Sequence, residues 1–149
     1  MTQQQISKLL DVPDRTLRDW KKNRQRLYNL LESLEYDEAK EKINAVDVND
    51  IIVFEPDKYS YNLFWQTNEK SEQKVYSIIS NYLSTMNDND IKTLCKEFGK
   101  NIVKSVLKDK YKKMYTKGFI STNGMDIPLR GKYEQNDMYK QLLGMINDY

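Results

Sequence analysis

The chain has 149 residues, one cysteine, no histidine and a formal net charge of +2. These numbers exclude a disulfide framework within the chain, zinc sites built from Cys and His, and catalysis by a histidine base. There is no apolar run long enough to cross a membrane, and we expect a cytoplasmic protein of one or two small domains without a signal peptide or a cofactor.

The charges are distributed unevenly along the chain. Residues 15–26 carry six basic residues and one acidic residue, whereas residues 35–58 carry eight acidic and three basic ones. Residues 92–117 then contain nine lysines and two acidic residues. A basic head, an acidic connector and a second basic region indicate more than one interaction surface.

Residues 4–20 have the pattern of two short helices joined by a tight turn. We predict the first helix over residues 2–10, with Thr2 as its N-cap. Asp11 lies at the turn, where Asp tolerates a left-handed backbone, and Pro13 ends the first helix so that the second begins at Asp14. The residues predicted to form a small core between the two helices are Ile6, Leu10, Val12, Leu17 and Trp20.

This pattern resembles the helix-turn-helix superfamily of bacterial and phage regulators over about the first two dozen residues. The five apolar residues match the core positions of the family, and Ser7 matches its usual small residue. The family prefers Gly where this chain has Asp11, and often Ser where it has Pro13. The resemblance implies that Arg15, Thr16, Arg18 and Lys21 read bases or grip phosphates. We expect Arg15, Thr16 and Arg18 to read base edges, and we expect the phosphates and the DNA backbone to be contacted by Lys21, Lys22, Arg24, Arg26, Gln3 and Gln4.

An ordinary pair of amphipathic helices with a solvated basic face is the alternative interpretation. Core spacing, turn residues and positive charge coincide here, and this coincidence favours DNA binding. The helical pattern continues over residues 26–42 and could complete the DNA-binding unit, form a dimer seam, or do both. Its apolar stripe consists of Leu27, Leu30, Leu31 and Leu34.

Residues 43–50 are polar and acidic and predict a linker, which separates an N-terminal unit (1–42) from a second domain (51–149). The β-prone runs 51–54 and 59–65 flank Pro56 and Asp57, so we predict a hairpin with an edge that could pair with another chain. Aromatic residues suit an interface. The candidate partner-binding residues are Tyr59, Tyr61, Phe64 and Trp65.

Ser71 is predicted to cap a helix, and residues 87–90 form a break before a second helical stretch that Gly99 divides or kinks. The first helix has the apolar residues Val75, Ile78, Ile79, Tyr82, Leu83 and Met86. The second has Ile91, Leu94, Cys95, Phe98, Ile102, Val106 and Leu107. Because Cys95 lies on this apolar stripe, we expect a core residue rather than a reactive thiol.

Six lysines between residues 104 and 117 form either a second phosphate-contacting surface or a solvated helix end. They are Lys104, Lys108, Lys110, Lys112, Lys113 and Lys117. Residues 118–133 predict a loop or small hairpin with a tight turn at Asn123-Gly124. A last helix begins near Asn136, with the predicted buried face Met138, Tyr139, Leu142, Leu143 and Ile146.

The predicted fold is therefore mainly α, with a helix-turn-helix unit followed by a helical domain that contains a small β-hairpin. We do not expect an enzyme, because the chain lacks histidine and a glycine-rich phosphate loop. Asp88 and Asp90 could hold Mg²⁺ in a carboxylate-only nuclease, but a helix cap is the simpler interpretation, and we expect neither catalytic residues nor a metal site.

These observations lead us to expect a sequence-specific transcriptional regulator that binds double-stranded DNA as a homodimer. The layout, size and charge also resemble antitoxins of toxin–antitoxin or abortive-infection operons. That resemblance implies autoregulation by the N-terminal unit and neutralisation of a toxin, or binding of another operon-encoded protein, by the second domain. The alternatives are a phage or plasmid DNA-packaging or replication protein, and a protein-interaction module without DNA affinity.

Overall fold

The computed structural model describes residues 1–43, 45–64 and 71–149. Over these residues the chain forms eight α-helices and two small antiparallel hairpins, which confirms the predicted mainly α class. The helices are α1 (Gln3–Leu10), α2 (Asp14–Asn23), α3 (Gln25–Ser33), α4 (Tyr36–Lys42), α5 (Val75–Ser84), α6 (Asp88–Phe98), α7 (Lys100–Lys117) and α8 (Asp137–Asn147). The strands are β1 (Ile51–Val53), β2 (Glu72–Lys74), β3 (Phe119–Thr122) and β4 (Met125–Pro128).

Two separate hydrophobic clusters hold these elements together. The small cluster joins α1, α2 and α3 through the buried residues Ile6, Leu17 and Tyr28. Partly buried residues complete this cluster: Met1, Leu10, Val12, Trp20 and Leu31. The large cluster joins α5, α6, α7 and α8 with Phe54. Burying each large apolar side chain contributes about 1.5–3 kcal/mol. Three fully buried side chains give the N-terminal unit little stability of its own, so its contacts with the rest of the molecule matter.

The turn between α1 and α2 forms as predicted. Thr2 is the N-cap of α1, and its hydroxyl and the Gln5 side chain form a reciprocal capping box. Asp11 has a left-handed backbone, with φ 51° and ψ 41°. Pro13 precedes the first residue of α2 and gives it no side-chain cap. Asp11 and Pro13 are thus both accommodated in the turn between α1 and α2.

The single helix predicted over residues 26–42 is wrong. The chain is extended at Leu34 and Glu35, which separates α3 from α4, and the Ser33 hydroxyl donates to the Leu30 carbonyl at the end of α3. Tyr28 fills the small cluster, while 58% of Leu30 is exposed. The aromatic ring occupies the inner side of α3, so two of the four leucines of the predicted stripe, Leu27 and Leu30, are exposed, while Leu31 packs against the small cluster.

Residues 45–50, which lie in the predicted acidic linker, contact both parts of the molecule. Val46 and Val48 pack against the large cluster. Asp47 forms an ion pair with Lys8 of α1, and Asp50 pairs with Lys40 of α4 at 2.7 Å. The acidic side chains of this segment thus attach the N-terminal helices to the large cluster.

The hairpin predicted between residues 51–54 and 59–65 is wrong in its second strand. β1 pairs with β2, in the register Ile51↔Lys74 and Val53↔Glu72. Residues 59–64 form no strand, and the rings of Tyr59 and Phe64 pack against Phe54 instead. Tyr59 stacks on Tyr82 with ring centroids 4.1 Å apart. The intervening Pro56–Lys58 is a 3-10 helix, and Trp65 lies outside the described residues.

Most of the remaining sequence predictions for the second domain agree with the structure. Gly99 separates α6 from α7, Cys95 is buried, and Asn123-Gly124 forms the turn of the β3–β4 hairpin with positive φ at both residues. Two predictions are wrong. Ser71 does not cap α5, because β2 lies between them. Met138, predicted to be buried, is 51% exposed, because the buried face of α8 is formed by Tyr139, Leu142 and Ile146, at spacings of three and four.

Candidate nucleic-acid interface

The outer face of α2 carries three basic side chains. Arg15, Arg18 and Lys22 are spaced at i, i+3 and i+7, so they lie on one side of the helix, opposite the buried Leu17. We call these three residues the basic face of α2. The ten residues of this helix span about 15 Å, a length comparable with the roughly 12 Å width of the DNA major groove.

The basic face of α2 is not neutralised within the chain. All three side chains are exposed, and none forms a hydrogen bond or ion pair with any residue that the structure describes. The ion pairs of the described residues involve lysines elsewhere: Lys8, Lys40, Lys42, Lys58 and Lys113. Closely spaced cations without counter-charges repel one another, and a polyanionic ligand relieves this repulsion.

Two exposed acidic residues flank the basic face of α2: Asp14, four residues before Arg18, and Asp19. Asp19 is four residues after Arg15, and its carboxylate accepts a 2.7 Å hydrogen bond from the Asn23 side-chain amide. Asp19 therefore remains next to the arginines without forming an ion pair with either of them. It lowers the local positive potential, and a neutral residue at this position would strengthen non-specific attraction to phosphates.

The other predicted DNA-binding residues surround the basic face of α2 less regularly. Lys21 places its ammonium 5.3 Å from the centroid of the Tyr28 ring. Arg24 lies between α2 and α3, whereas Arg26 is exposed on α3. Thr16 is half-buried on α2. The structure thus brings Arg15, Arg18 and Lys22 together and distributes the other cations around the α2–α3 junction.

Asp11 attaches the turn of the helix pair to the second domain. Its carboxylate accepts hydrogen bonds from the backbone N–H groups of Lys100 and Asn101, at 2.8 and 2.6 Å. These are the first two residues of α7, whose preceding Gly99 has φ +84° and cannot supply a side-chain cap. A carboxylate at this position satisfies free N–H groups and interacts favourably with the helix dipole.

A groove separates the N-terminal helices from α7. Gln4 and Asp14 line one side of it, and Asn101 and Ser105 line the other. The Asn101 side-chain amide also donates to the Ser7 carbonyl at 3.3 Å. The predicted backbone contact Gln4 therefore faces α7 as well as solvent, and α2 begins beside α7.

The candidate partner-binding residues differ in their exposure. Tyr59 and Phe64 pack against Phe54, with ring centroids 5.7 and 5.0 Å away, and burial raises the pKa of Tyr59. Tyr61 is 68% exposed, although its carbonyl accepts a 2.6 Å hydrogen bond from the Tyr82 hydroxyl. Of the three candidates that the structure describes, Tyr61 presents its side chain to solvent.

Comparison with protein-family models, curated proteins and solved structures found no match for this chain. Among the described residues, no three or more Cys, Asp or Glu side chains come together in a way that could hold a metal ion. Within the same ranges, no helix has both the length and the apolar character that crossing a membrane requires.

Sequence reasoning missed two residues that shape this region. Tyr28 completes the small cluster. It lies three residues before Leu31, and this spacing was the sequence signal that both residues share the buried side of α3. The capping role of Asp11 had no such indication, since its partners lie 89 and 90 residues later in the chain.

Proposed function

We propose that this chain is a sequence-specific DNA-binding transcriptional regulator that inserts α2 into the major groove. The observation that supports this most directly is the exposed and unpaired basic face of α2. It lies on a helix pair with a left-handed turn and a buried contact between Ile6 and Leu17. These are the features expected of a helix-turn-helix, in which the second helix presents its N-terminal half to the bases.

In the proposed mechanism the two arginines near the start of α2 read base edges. Arginine donates two hydrogen bonds to the O6 and N7 atoms of guanine, which Arg15 and Arg18 can do without first breaking an ion pair. Thr16 beside them supplies a methyl group and a hydroxyl. The later cations contact phosphates and set the salt dependence of binding: Lys21, Lys22, Arg24 and Arg26.

Fluorescence anisotropy with the DNA upstream of the gene, compared with scrambled DNA over a salt series, tests this proposal. We expect selective binding by a homodimer, and we expect the double variant R15A/R18A to lose about 2–6 kcal/mol of binding free energy on its own operator. Equal affinity of the wild type for both DNAs would contradict sequence-specific binding, and no binding to either DNA would favour an interaction module without DNA affinity.

A matched control separates base reading from the loss of two positive charges. Lys96 of α6 and Lys140 of α8 are exposed lysines without a side-chain partner among the described residues. The variant K96A/K140A has the same net charge as R15A/R18A, so it should keep selectivity for the operator. If the control loses selectivity as strongly as the arginine variant, the role assigned to α2 is wrong.

A second candidate function is that of an autoregulating antitoxin, with an operon-encoded protein bound to the second domain. The exposure of Tyr61 beside Val53, with which it lines a groove, supports a partner-binding surface there. Co-expression with neighbouring gene products, followed by copurification with wild type and Y61A, tests it. A complex that forms equally well with Y61A would remove this surface from the proposal.

A further inference from the structure

We propose that Lys108 and Lys112 of α7 form a second phosphate-contacting surface, which extends the DNA footprint beyond the helix-turn-helix unit. This inference rests on the proposed DNA-binding function and adds a contact region from the second domain. It is carried by the position of these lysines relative to α2 and by their lack of partners.

The structure divides the lysines of α7 into two groups. Lys110 is partly buried and donates to the Ser80 carbonyl at 2.8 Å and to the Ser84 hydroxyl. Lys113 pairs with Asp109 at 2.7 Å. These lysines serve packing contacts within the second domain, as does Lys117, whose ammonium lies 4.8 Å from the Phe119 ring centroid.

Lys108 and Lys112 belong to the other group. Both are exposed, and neither forms an ion pair or a side-chain hydrogen bond with a residue that the structure describes. Lys104 also lacks such a partner but is half-buried. The exposed pair is therefore the part of the lysine run that is open to an external anion.

Helix geometry places the exposed pair on the side of α7 that faces the DNA-binding unit. Asn101, Ser105, Lys108 and Lys112 follow one another at spacings of three and four, so they share one face of the helix. The first two line the groove shared with Asp14, the first residue of α2. Lys108 and Lys112 continue the same face by about 4.5 and 10.5 Å beyond Ser105.

The acidic residue closest to this pair in sequence is already neutralised. Asp109 accepts hydrogen bonds from the Tyr76 hydroxyl and from Lys113, each at 2.7 Å. Lys112 lies three residues after Asp109, and its charge contributes to the lowered pKa of that carboxyl group. Because Lys113 already forms the ion pair with Asp109, this carboxylate offsets only part of the charge of the exposed lysines. A DNA duplex whose major groove holds α2 extends past this helix toward α7. Its phosphate backbone is the polyanion that Lys108 and Lys112 are placed to contact.

The test compares the salt dependence of operator binding by wild type, K108A/K112A and the control K96A/K140A. Each lost phosphate contact reduces the slope of log K against log salt by about 0.9, so we expect the slope of K108A/K112A to fall by roughly 1.8. Its preference for operator over scrambled DNA should not change, because phosphate contacts carry no base information. The variant K108R/K112R should keep the wild-type slope.

The possible outcomes separate the two proposals. Selective binding by wild type with an unchanged slope in K108A/K112A overturns this inference and leaves the proposed function intact. Loss of slope by the control as well would show a general charge effect and also overturn it. Absence of selective binding by wild type overturns the proposed function and the inference together.

Discussion

The contact between Asp11 and α7 gives a sharp prediction about stability. In D11A, α7 loses its cap, and alanine must also adopt the left-handed backbone that Asp11 has at φ 51°. Loss of a helix cap costs about 1–2 kcal/mol, and a left-handed alanine costs about another 1 kcal/mol. We therefore expect the free energy of unfolding of D11A to fall by about 2–3 kcal/mol. Glycine relieves the backbone cost, so D11G should lose only the contribution of the cap, about 1–2 kcal/mol.

Urea unfolding of the wild type, D11A and D11G measures these differences, with circular dichroism and tryptophan fluorescence as the signals. Trp20 packs against the small cluster and reports on the N-terminal helices. Hydrogen exchange at the Lys100 and Asn101 amides gives a local measurement, because both hydrogen bonds to Asp11 are lost in either variant. If D11G is as stable as wild type and these two amides remain protected, the carboxylate does not cap α7 and the reasoning is refuted.

A double-mutant cycle with Gly99 checks the same contact independently. A Cβ atom on residue 99 would lie 2.9 Å from the Asp11 carboxyl carbon, and the φ of +84° also disfavours a side chain. G99A should therefore destabilise wild type more than it destabilises D11G, because the clash is absent from the second background. Equal effects of G99A in both backgrounds would show that the clash is not formed.

Two further predictions concern ionisable groups in the rest of the molecule. Burial raises the pKa of the Cys95 thiol to about 11, so the native protein should react slowly with a disulfide reagent at pH 8 and rapidly after unfolding; fast labelling of folded protein would contradict this. Burial alone would raise the pKa of Asp47, but the hydrogen bond and charge of Lys8 outweigh it and lower the pKa below its ordinary 3.8. The stabilising contribution of Asp47 is thus present above pH 3.8 and is lost as the pH falls through the lower folded-state pKa. In urea titrations at different pH, D47N should therefore lose less stability on acidification than the wild type does. An unchanged pH profile would count against the ion pair.

Local chemistry explains why the N-terminal helix pair could be predicted from the sequence. The Thr2 cap, the left-handed Asp11 and the helix start after Pro13 each depend on residues within a few positions. The same holds for the turn at Asn123-Gly124. The placement of Arg15 and Arg18 on the outer side of α2 also follows from helical spacing alone. The part of the candidate site that lies on a single helix could therefore be predicted from the sequence.

The parts that sequence reasoning missed depend on contacts between distant residues. β2 consists of Glu72, Gln73 and Lys74, a polar run without strand propensity, and it becomes a strand because β1 is held beside it. Tyr59 has the alternating aromatic surroundings of a strand, yet its ring is used in the stack on Tyr82. In each case tertiary packing outweighs the local preference, and a single sequence does not contain the identity of the packing partner.

The separation of Asp11 from Lys100 by 89 residues has a consequence for the order in which the molecule forms. During synthesis, the small cluster has all its buried residues once Tyr28 has emerged from the ribosome, whereas the large cluster needs Ile146. The two clusters therefore become complete at widely different stages of translation. The first turn of α7 can receive its cap only once Lys100 and Asn101 have emerged, long after the small cluster has all its residues, so this contact is a later step that joins the N-terminal helices to the second domain.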